Sequence, residues 1–263
     1  YWRMMVMPDF DGIAWTVPPV NAIDASDTTP VAGQPIRYSL TLVDQNRRLP
    51  ALDYPISSGD SARKGYGRTV VADRSYAQLR RVELSSNGQG QTPEVLTENQ
   101  QYYYTQLPDN NPKTRAWAQK LKEQSRSSED YIRKTLAYFT ENKFEYTLKP
   151  PKLDHTKDQI DEFLFRSKRG FCEHYASAFA VSMRAGGLPA RVITGYQGGT
   201  FYSEGGFWQI KGKDAHAWTE VWLTEKQIWL RVDPTAAVSD RADWGMEDAL
   251  SEEEKENLLD ASG

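Results

Sequence analysis

Cysteine and histidine are scarce: one thiol, Cys172, and 3 imidazoles stand in a chain of 263 residues. A single cysteine excludes an internal disulfide and any multi-cysteine metal site. Long apolar runs are missing too; none approaches the roughly 18 residues of a membrane-spanning helix. The opening "YWRMMVMPDF" lacks the apolar core and cleavage site of a signal peptide. It has no initiator Met either, so the chain reads as an excised piece of something longer. A formal net charge of −4 speaks against nucleic-acid binding. No segment repeats. What is present is ordinary for a globular protein, 39% hydrophobic and 26% charged. With 8 Trp and 14 Tyr there is enough apolar bulk for a sizeable core.

Residues 1 to about 107 read as β-structure. In "IRYSLTLV" the residues Ile36, Tyr38, Leu40 and Leu42 alternate onto one face. "RTVVAD" and "AQLRRVELS" follow, and "SSNGQGQTP" (Ser85 to Pro93) reads as a loop. Strand signals broken by Pro, Gly, Asn and Asp predict a small sandwich or meander. It carries no recognisable chemistry and reads as a support or docking domain. "LPDNNP" marks a boundary, where Pro112 fits the first position of a helix capped by Asn111. Ala116, Trp117 and Leu121 continue that helix. A second starts near Ser127, with Tyr131, Ile132, Leu136 and Phe139 as its apolar face. A third, short one follows Thr156, with Gln159 as capping-box partner and Ile160, Phe163 and Leu164 inward. From Ala190 the pattern turns to short aromatic and β-branched strands: "ARVITGY", "GFWQIK", "AWTEVWL" and "IWLRVD". Helices followed by an antiparallel sheet make the class α+β. From Asp240 onward, nine acidic residues face two basic ones, as in a solvated linker. Within it "ALSEEEKENLL" could form a short amphipathic helix. The expected division is a β-rich domain (1–108), a domain carrying the chemistry (109–238) and an acidic tail (239–263).

Cys172 falls where "RGFCEHYASAFAVSMR" turns from Gly170 into helix. Ala176, Phe179, Ala180 and Met183 recur at helical spacing, and Gly186-Gly187 ends the run. The thiol therefore stands in the first turn, where unpaired N–H groups and the helix dipole favour a thiolate. The plain alternative is a small buried hydrophobe. A nucleophilic cysteine needs a base, and a third group to orient that base. His174 lies two residues on, points to another side of the helix, and reads as a surface or packing residue. His155 sits in a loop with nothing to orient it. His216 begins the strand of "DAHAWTEVWL", sharing a face with Trp218 and Glu220, while Ala217, Thr219 and Val221 take the other. "IWLRVDP" follows after a short hairpin. A loop of two or four residues puts His216 and Asp233 on one face, with Cβ atoms about 5–8 Å apart. An odd loop would separate them. Pro234 leaves Asp233 at the strand's end, where it can accept from the imidazole and hold its tautomer.

These residues, in this order, resemble the transglutaminase-like cysteine-enzyme superfamily, whose core is a papain-like α+β fold. The motifs stand here as "GFCEHYASAFAVSMRAGGLPARVITGY", "DAHAWTEVWL" and "WLRVDPT". The resemblance covers roughly Pro112 to Ala237 and implies catalytic roles for Cys172, His216 and Asp233. Spacings of 44 and 17 residues suit this superfamily. They do not suit the papain group itself, where His follows Cys by about 130–150 residues. Over its length the chain is similar to the extracytoplasmic part of bacterial membrane-anchored transglutaminase-like proteins of the TgpA type. That likeness implies a periplasmic location and a membrane anchor in the full-length protein.

The implied activity is acyl transfer. Cys172 would form a thioester with a protein or peptide glutamine, then pass the acyl group to a primary amine such as lysine. Cell-envelope components are among the substrates such a protein would meet. With water as acceptor the same three residues would make a protease, a deamidase or a peptidoglycan amide hydrolase. An inactive fold would leave a binding or scaffold module. Trp208 and Trp218 are expected as walls of the substrate channel; Trp222 is a third, for which core packing is an equal explanation. The Cys172 N–H is expected to hold the oxyanion, with Tyr138, Tyr146 and Trp117 open as the second donor. The superfamily's calcium-activated members are not matched by any calcium-loop pattern here, and no metal or cofactor is expected.

Overall fold

The computed structural model describes residues 1–19, 34–44, 47–57, 62–87, 94–152 and 158–238. His155, Thr156, the acidic tail and most of the loop expected at Ser85–Pro93 lie outside the described residues.

The second half is built as its apolar spacing predicts. Helices α2 (Pro112–Glu123) and α3 (Ser128–Glu141) follow a short α1 (Glu98–Tyr103). Ser127 caps α3, its side chain accepting from the Asp130 N–H at 3.1 Å. Tyr131, Ile132, Leu136 and Phe139 are fully buried. The caps of α2 and α4 (Gln159–Glu162) differ from expectation, because the two helices exchange them. Asn111 enters α2 from the left-handed region (φ 53°) and makes no side-chain bond to its own helix. Its Oδ1 instead accepts from the N–H groups of Ile160 and Asp161. Asp161 does the same for α2, accepting from the Lys113 and Thr114 N–H groups and the Thr114 hydroxyl. Orphan donors at both helix starts are thus satisfied across a tertiary contact. Helix α4 runs on into a π-helical turn, Phe163–Ser167.

Helix α5 spans Cys172–Ala185. Ala176, Phe179, Ala180 and Met183 are all 0% exposed and form the centre of the core. Their burial contributes on the order of 1.5–3 kcal/mol for each large side chain. The helix packs on a sheet made of β8 (Ala190–Tyr196), β11 (Ala215–Leu223) and β12 (Ile228–Val232), all antiparallel. Thr219 fixes the contact by donating its hydroxyl to the Ala176 carbonyl at 3.0 Å.

The first half holds β2 (Ile36–Asp44), β3 (Arg48–Leu49), β4 (Pro55–Ser57), β5 (Ala62–Gly65), β6 (Thr69–Ala72) and β7 (Tyr76–Ser86). They form two small antiparallel sheets, ordered β2-β7-β4 and β3-β6-β5. Tyr38, Leu40 and Leu42 pack on the core of Leu49, Val82 and Leu84, while Ile36 at the strand start is 44% exposed.

One strand crosses between the halves. β1 (Trp2–Met7) pairs with β8 and completes the four-stranded sheet β1-β8-β11-β12. Gly195 permits the approach: a Cβ there would stand 1.9 Å from the Trp2 carbonyl oxygen. β1 carries Arg3 onto the face turned away from α5. There Glu220 accepts from Arg3, from Arg68 at 2.9 Å and from Arg191 at 2.9 Å. Asp53 takes the remaining edge of Arg3 at 3.0 Å and Arg231 at 2.9 Å. Burial would raise the Glu220 pKa, yet the three guanidinium groups outweigh it and hold the carboxyl well below the usual range. Arg184, at the end of α5, has no carboxylate partner among the described residues. It is spread over the carbonyls of Pro8, Gln106 and Ala190 and stacks on Trp15 at 4.8 Å. Burial brings its pKa down to about 10.

Candidate active site

Cys172 opens α5, with Phe171 in extended conformation before it. The thiol is free and 9% exposed, at the wall of a cavity of about 680 Å³. His216 reaches it from the start of β11. Residues Thr224 to Gln227 form the four-residue connection, pairing Leu223 with Ile228. Extending that register past Thr219↔Val232 sets Asp233 beside Trp218, diagonal to His216 on the same face. His216 Nε2 lies 2.5 Å from Asp233 Oδ2. Cys172 and His216 line the same cavity, and the thiol is among the groups that act on the imidazole. Burial would lower the imidazole pKa. The hydrogen bond to Asp233 and the interaction with the Cys172 thiol override it and raise the value to about 9.

Asp233 is fully buried and fully used. Oδ1 accepts from the Thr235 N–H at 3.1 Å and from its hydroxyl, so the residue caps the short 3₁₀ turn Pro234–Ala237 as it ends the strand. Oδ2 accepts from His216 and, at 2.9 Å, from the Tyr1 hydroxyl. Tyr1 is held in turn by Gln197, by Arg231 stacked 4.2 Å over its ring, and by the edge of Trp218. Sequence reasoning missed Tyr1, which stands 232 positions from its partner and in no recognisable pattern.

The other residues singled out fall differently. His174 does not join the group. It packs between Phe163 and Phe171, its Nδ1 accepts from the Phe171 N–H at 3.4 Å, and burial lowers its pKa. Gly170 is small because of it: a Cβ there would meet His174 at 2.7 Å. Trp208 is not a wall of the Cys172 cavity. It rides on the projecting hairpin β9 (Thr200–Tyr202) to β10 (Phe207–Gln209), is 55% exposed, and lines the neighbouring cavity instead. Trp218 is not a wall either. β1 covers that face of the sheet, so the indole is fully buried with Val6 and Ile193 and backs His216 at 6.3 Å between ring centroids. Trp222 is core, beside Leu96, Tyr104 and Trp229. Of the three upstream oxyanion candidates, Tyr146 lines the Cys172 cavity, held by pairing of Glu145–Tyr146 with Arg169–Gly170. Tyr138 and Trp117 do not line it; their rings lie tilted, 4.7 Å apart, in an aromatic cluster with Phe165.

A helix-start thiol on an antiparallel sheet, facing an imidazole held by a strand-end carboxylate, defines the transglutaminase-like class of cysteine proteins. The sequence comparisons agree: residues 115–234 match the transglutaminase-like superfamily and residues 1–102 match the TgpA N-terminal domain. The chain belongs to the transglutaminase-like superfamily. More particularly, it is 34% identical to the crystal structure of the periplasmic domain of TgpA from Pseudomonas aeruginosa, with a TM-score of 0.84, covering 95% of this chain and 87% of that one. A second structure of that domain, bound to ethylmercury, is 33% identical with a TM-score of 0.82, covering 91% and 84%. A Pseudomonas aeruginosa protein named protein-glutamine gamma-glutamyltransferase is 34% identical over 264 residues, 99% of this chain. An uncharacterised protein of Bacillus subtilis, YebA, is 31% identical over 206 residues, 74% of this chain. The chain spans 39% and 27% of the lengths of these two proteins. No helix among the described residues is long and apolar enough to cross a membrane.

Proposed function

We propose that the chain is the acyl-transfer domain of a transglutaminase, acting in the periplasm as part of a membrane-anchored protein. One observation carries this reading: His216, bonded to Asp233 at 2.5 Å, lines the same cavity as the only thiol in the chain. The Cys172 thiolate attacks the carboxamide carbon of a protein or peptide glutamine. The carbon–nitrogen bond breaks, and ammonia leaves with a proton from His216. The Cys172 N–H, at the start of α5, is one oxyanion donor in this reading, and Tyr146, which lines the same cavity, is taken as the second. A primary amine such as lysine then gives its proton to His216 and attacks the thioester. An isopeptide bond forms and the thiol is released. Asp233 holds the ring and supports its charge. The name borne by the Pseudomonas aeruginosa relative supports transfer to an amine. The likeness to a periplasmic domain of that organism supports the location, and cell-envelope proteins are the substrates such a site would meet.

Incubation with a glutamine-bearing protein and a labelled amine, read by mass spectrometry, tests the reaction. Incorporation of the amine, abolished by Cys172→Ala without loss of melting temperature, is the expected result. Glutamate formed in place of the amine adduct would make the chain a deamidase, and cleaved backbone would make it a protease.

A further inference from the structure

Beside the Cys172 cavity runs a second, larger one of about 890 Å³. The two share Met4, Tyr196 and Gly212, and so adjoin. One wall of the larger space is β2. Every residue from Arg37 to Val43 lines it. A strand that borders a groove with one face contributes alternate residues only, because successive side chains point to opposite faces. Unbroken lining means that the long edge of the strand lies along the groove. Among the described residues β2 is the outermost strand of its sheet, paired with β7 on one side. Its other edge presents main-chain donors and acceptors to the groove. The facing wall is apolar, with Trp2, Phe207, Trp208 and Ile210. The charged side chains that line it are Arg37, Arg48 and Lys211, with no Asp or Glu among the described lining residues.

We propose that this groove binds an extended, acidic polypeptide segment as a strand added to the edge of β2, leading its neighbouring reactive side chain into the Cys172 cavity. The delivery step rests on the acyl-transfer reading; the binding step does not. Strand addition derives affinity from main-chain hydrogen bonds and selectivity from side-chain contacts. Seven residues of β2 run about 23 Å, enough to pair six or seven residues of a partner. Acidic side chains on that partner meet cations, whereas a basic segment meets only like charge.

Fluorescence anisotropy with a labelled acidic peptide of about eight residues, lacking glutamine, reads binding apart from chemistry. The same peptide N-methylated on alternate residues, in each of the two phases, reads the main chain. The acidic peptide is expected to bind and a basic one of equal length to fail. One N-methylation phase should abolish binding and the other spare it, since a strand directs alternate N–H groups to opposite sides. The exposed pair Arg37→Glu with Lys211→Glu should weaken binding about tenfold. It should leave amine incorporation into a small blocked glutamine dipeptide unchanged. Equal binding of acidic and basic peptides, or indifference to both N-methylation phases, would overturn the proposal. Peptide binding as expected with an unreactive dipeptide would support the groove and overturn the acyl-transfer reading instead.

Discussion

At the scale of the residue, Asp233 holds most of the information. Its carboxylate keeps His216 charged to about pH 9, against the pull of burial. Asp233→Asn keeps a hydrogen-bonding shape and loses the charge, so the His216 titration midpoint, read by NMR, should fall well below 9. With less imidazolium beside it the thiolate is less favoured. Iodoacetamide modification of Cys172 should then need higher pH than in the wild type, and turnover should drop to a low but measurable rate. Superimposable pH profiles would leave Asp233 as a strand terminator only. Tyr1→Phe removes one donor from the same carboxylate. A hydrogen bond to a charged group is worth roughly 1.5–3 kcal/mol, so kcat should fall by about tenfold to a hundredfold while the fold stays intact. An unchanged kcat would show that Tyr1 only packs. Cys172, His216 and Asp233 were legible because each is set by a short-range period: helical spacing after Gly170, and strand parity across a four-residue hairpin. Tyr1 was not, because no local rule brings the first residue of a chain to the 233rd.

At the scale of the element, the sequence told where helices and strands lie and less about what they touch. The apolar faces of α3 and α5 are buried as their spacing predicts. The exchange of caps between Asn111 and Asp161 was illegible, since each side chain caps a helix some 50 positions away. Asp161→Ala should expose that coupling, lowering stability by about 2 kcal/mol in chemical denaturation, at the upper end for a lost cap. Trp218 was misread for a related reason: parity placed it on the His216 side, but β1, whose "WRMMVM" shows no alternation, covers that side. Gly195→Ala tests the cover. A methyl group driven toward the Trp2 carbonyl must displace β1 and loosen Tyr1. Stability should fall by about 3 kcal/mol, and turnover should fall with it. A variant with full stability and full turnover would mean that β1 can shift without consequence for the site.

At the scale of the molecule, a buried charge network ties the β-rich half to the four-stranded sheet that carries His216. Arg3, Asp53 and Arg68 come from the first half, and Glu220, Arg191 and Arg231 from the second. Glu220 is held ionised well below its ordinary value of 4.5. Below that ordinary value the unfolded chain takes up a proton here that the native state refuses, so stability falls as pH drops from about 5. Glu220→Gln should unfold several degrees lower at pH 7 and lose this slope, because Arg191 then has no carboxylate partner among the described residues and Arg3 and Arg68 keep only Asp53 and Glu94. A slope that persisted unchanged would assign the acid sensitivity to other carboxylates.

The place of β1 also sets an order in time. A chain synthesised from its amino end releases Trp2–Met7 long before Ala190–Tyr196, the strand it must join. The Tyr1 hydroxyl waits longer still for Asp233. Pairings this distant in sequence form slowly, after the loop between them has closed. On the proposed reading the thiol is therefore present before its partners: His216 and Asp233 follow it by 44 and 61 residues. A nascent polypeptide should be unable to cross-link itself or its neighbours. Chains truncated before Ile228 should alkylate at Cys172 no faster than a denatured thiol; enhanced reactivity in such fragments would show that arming precedes completion.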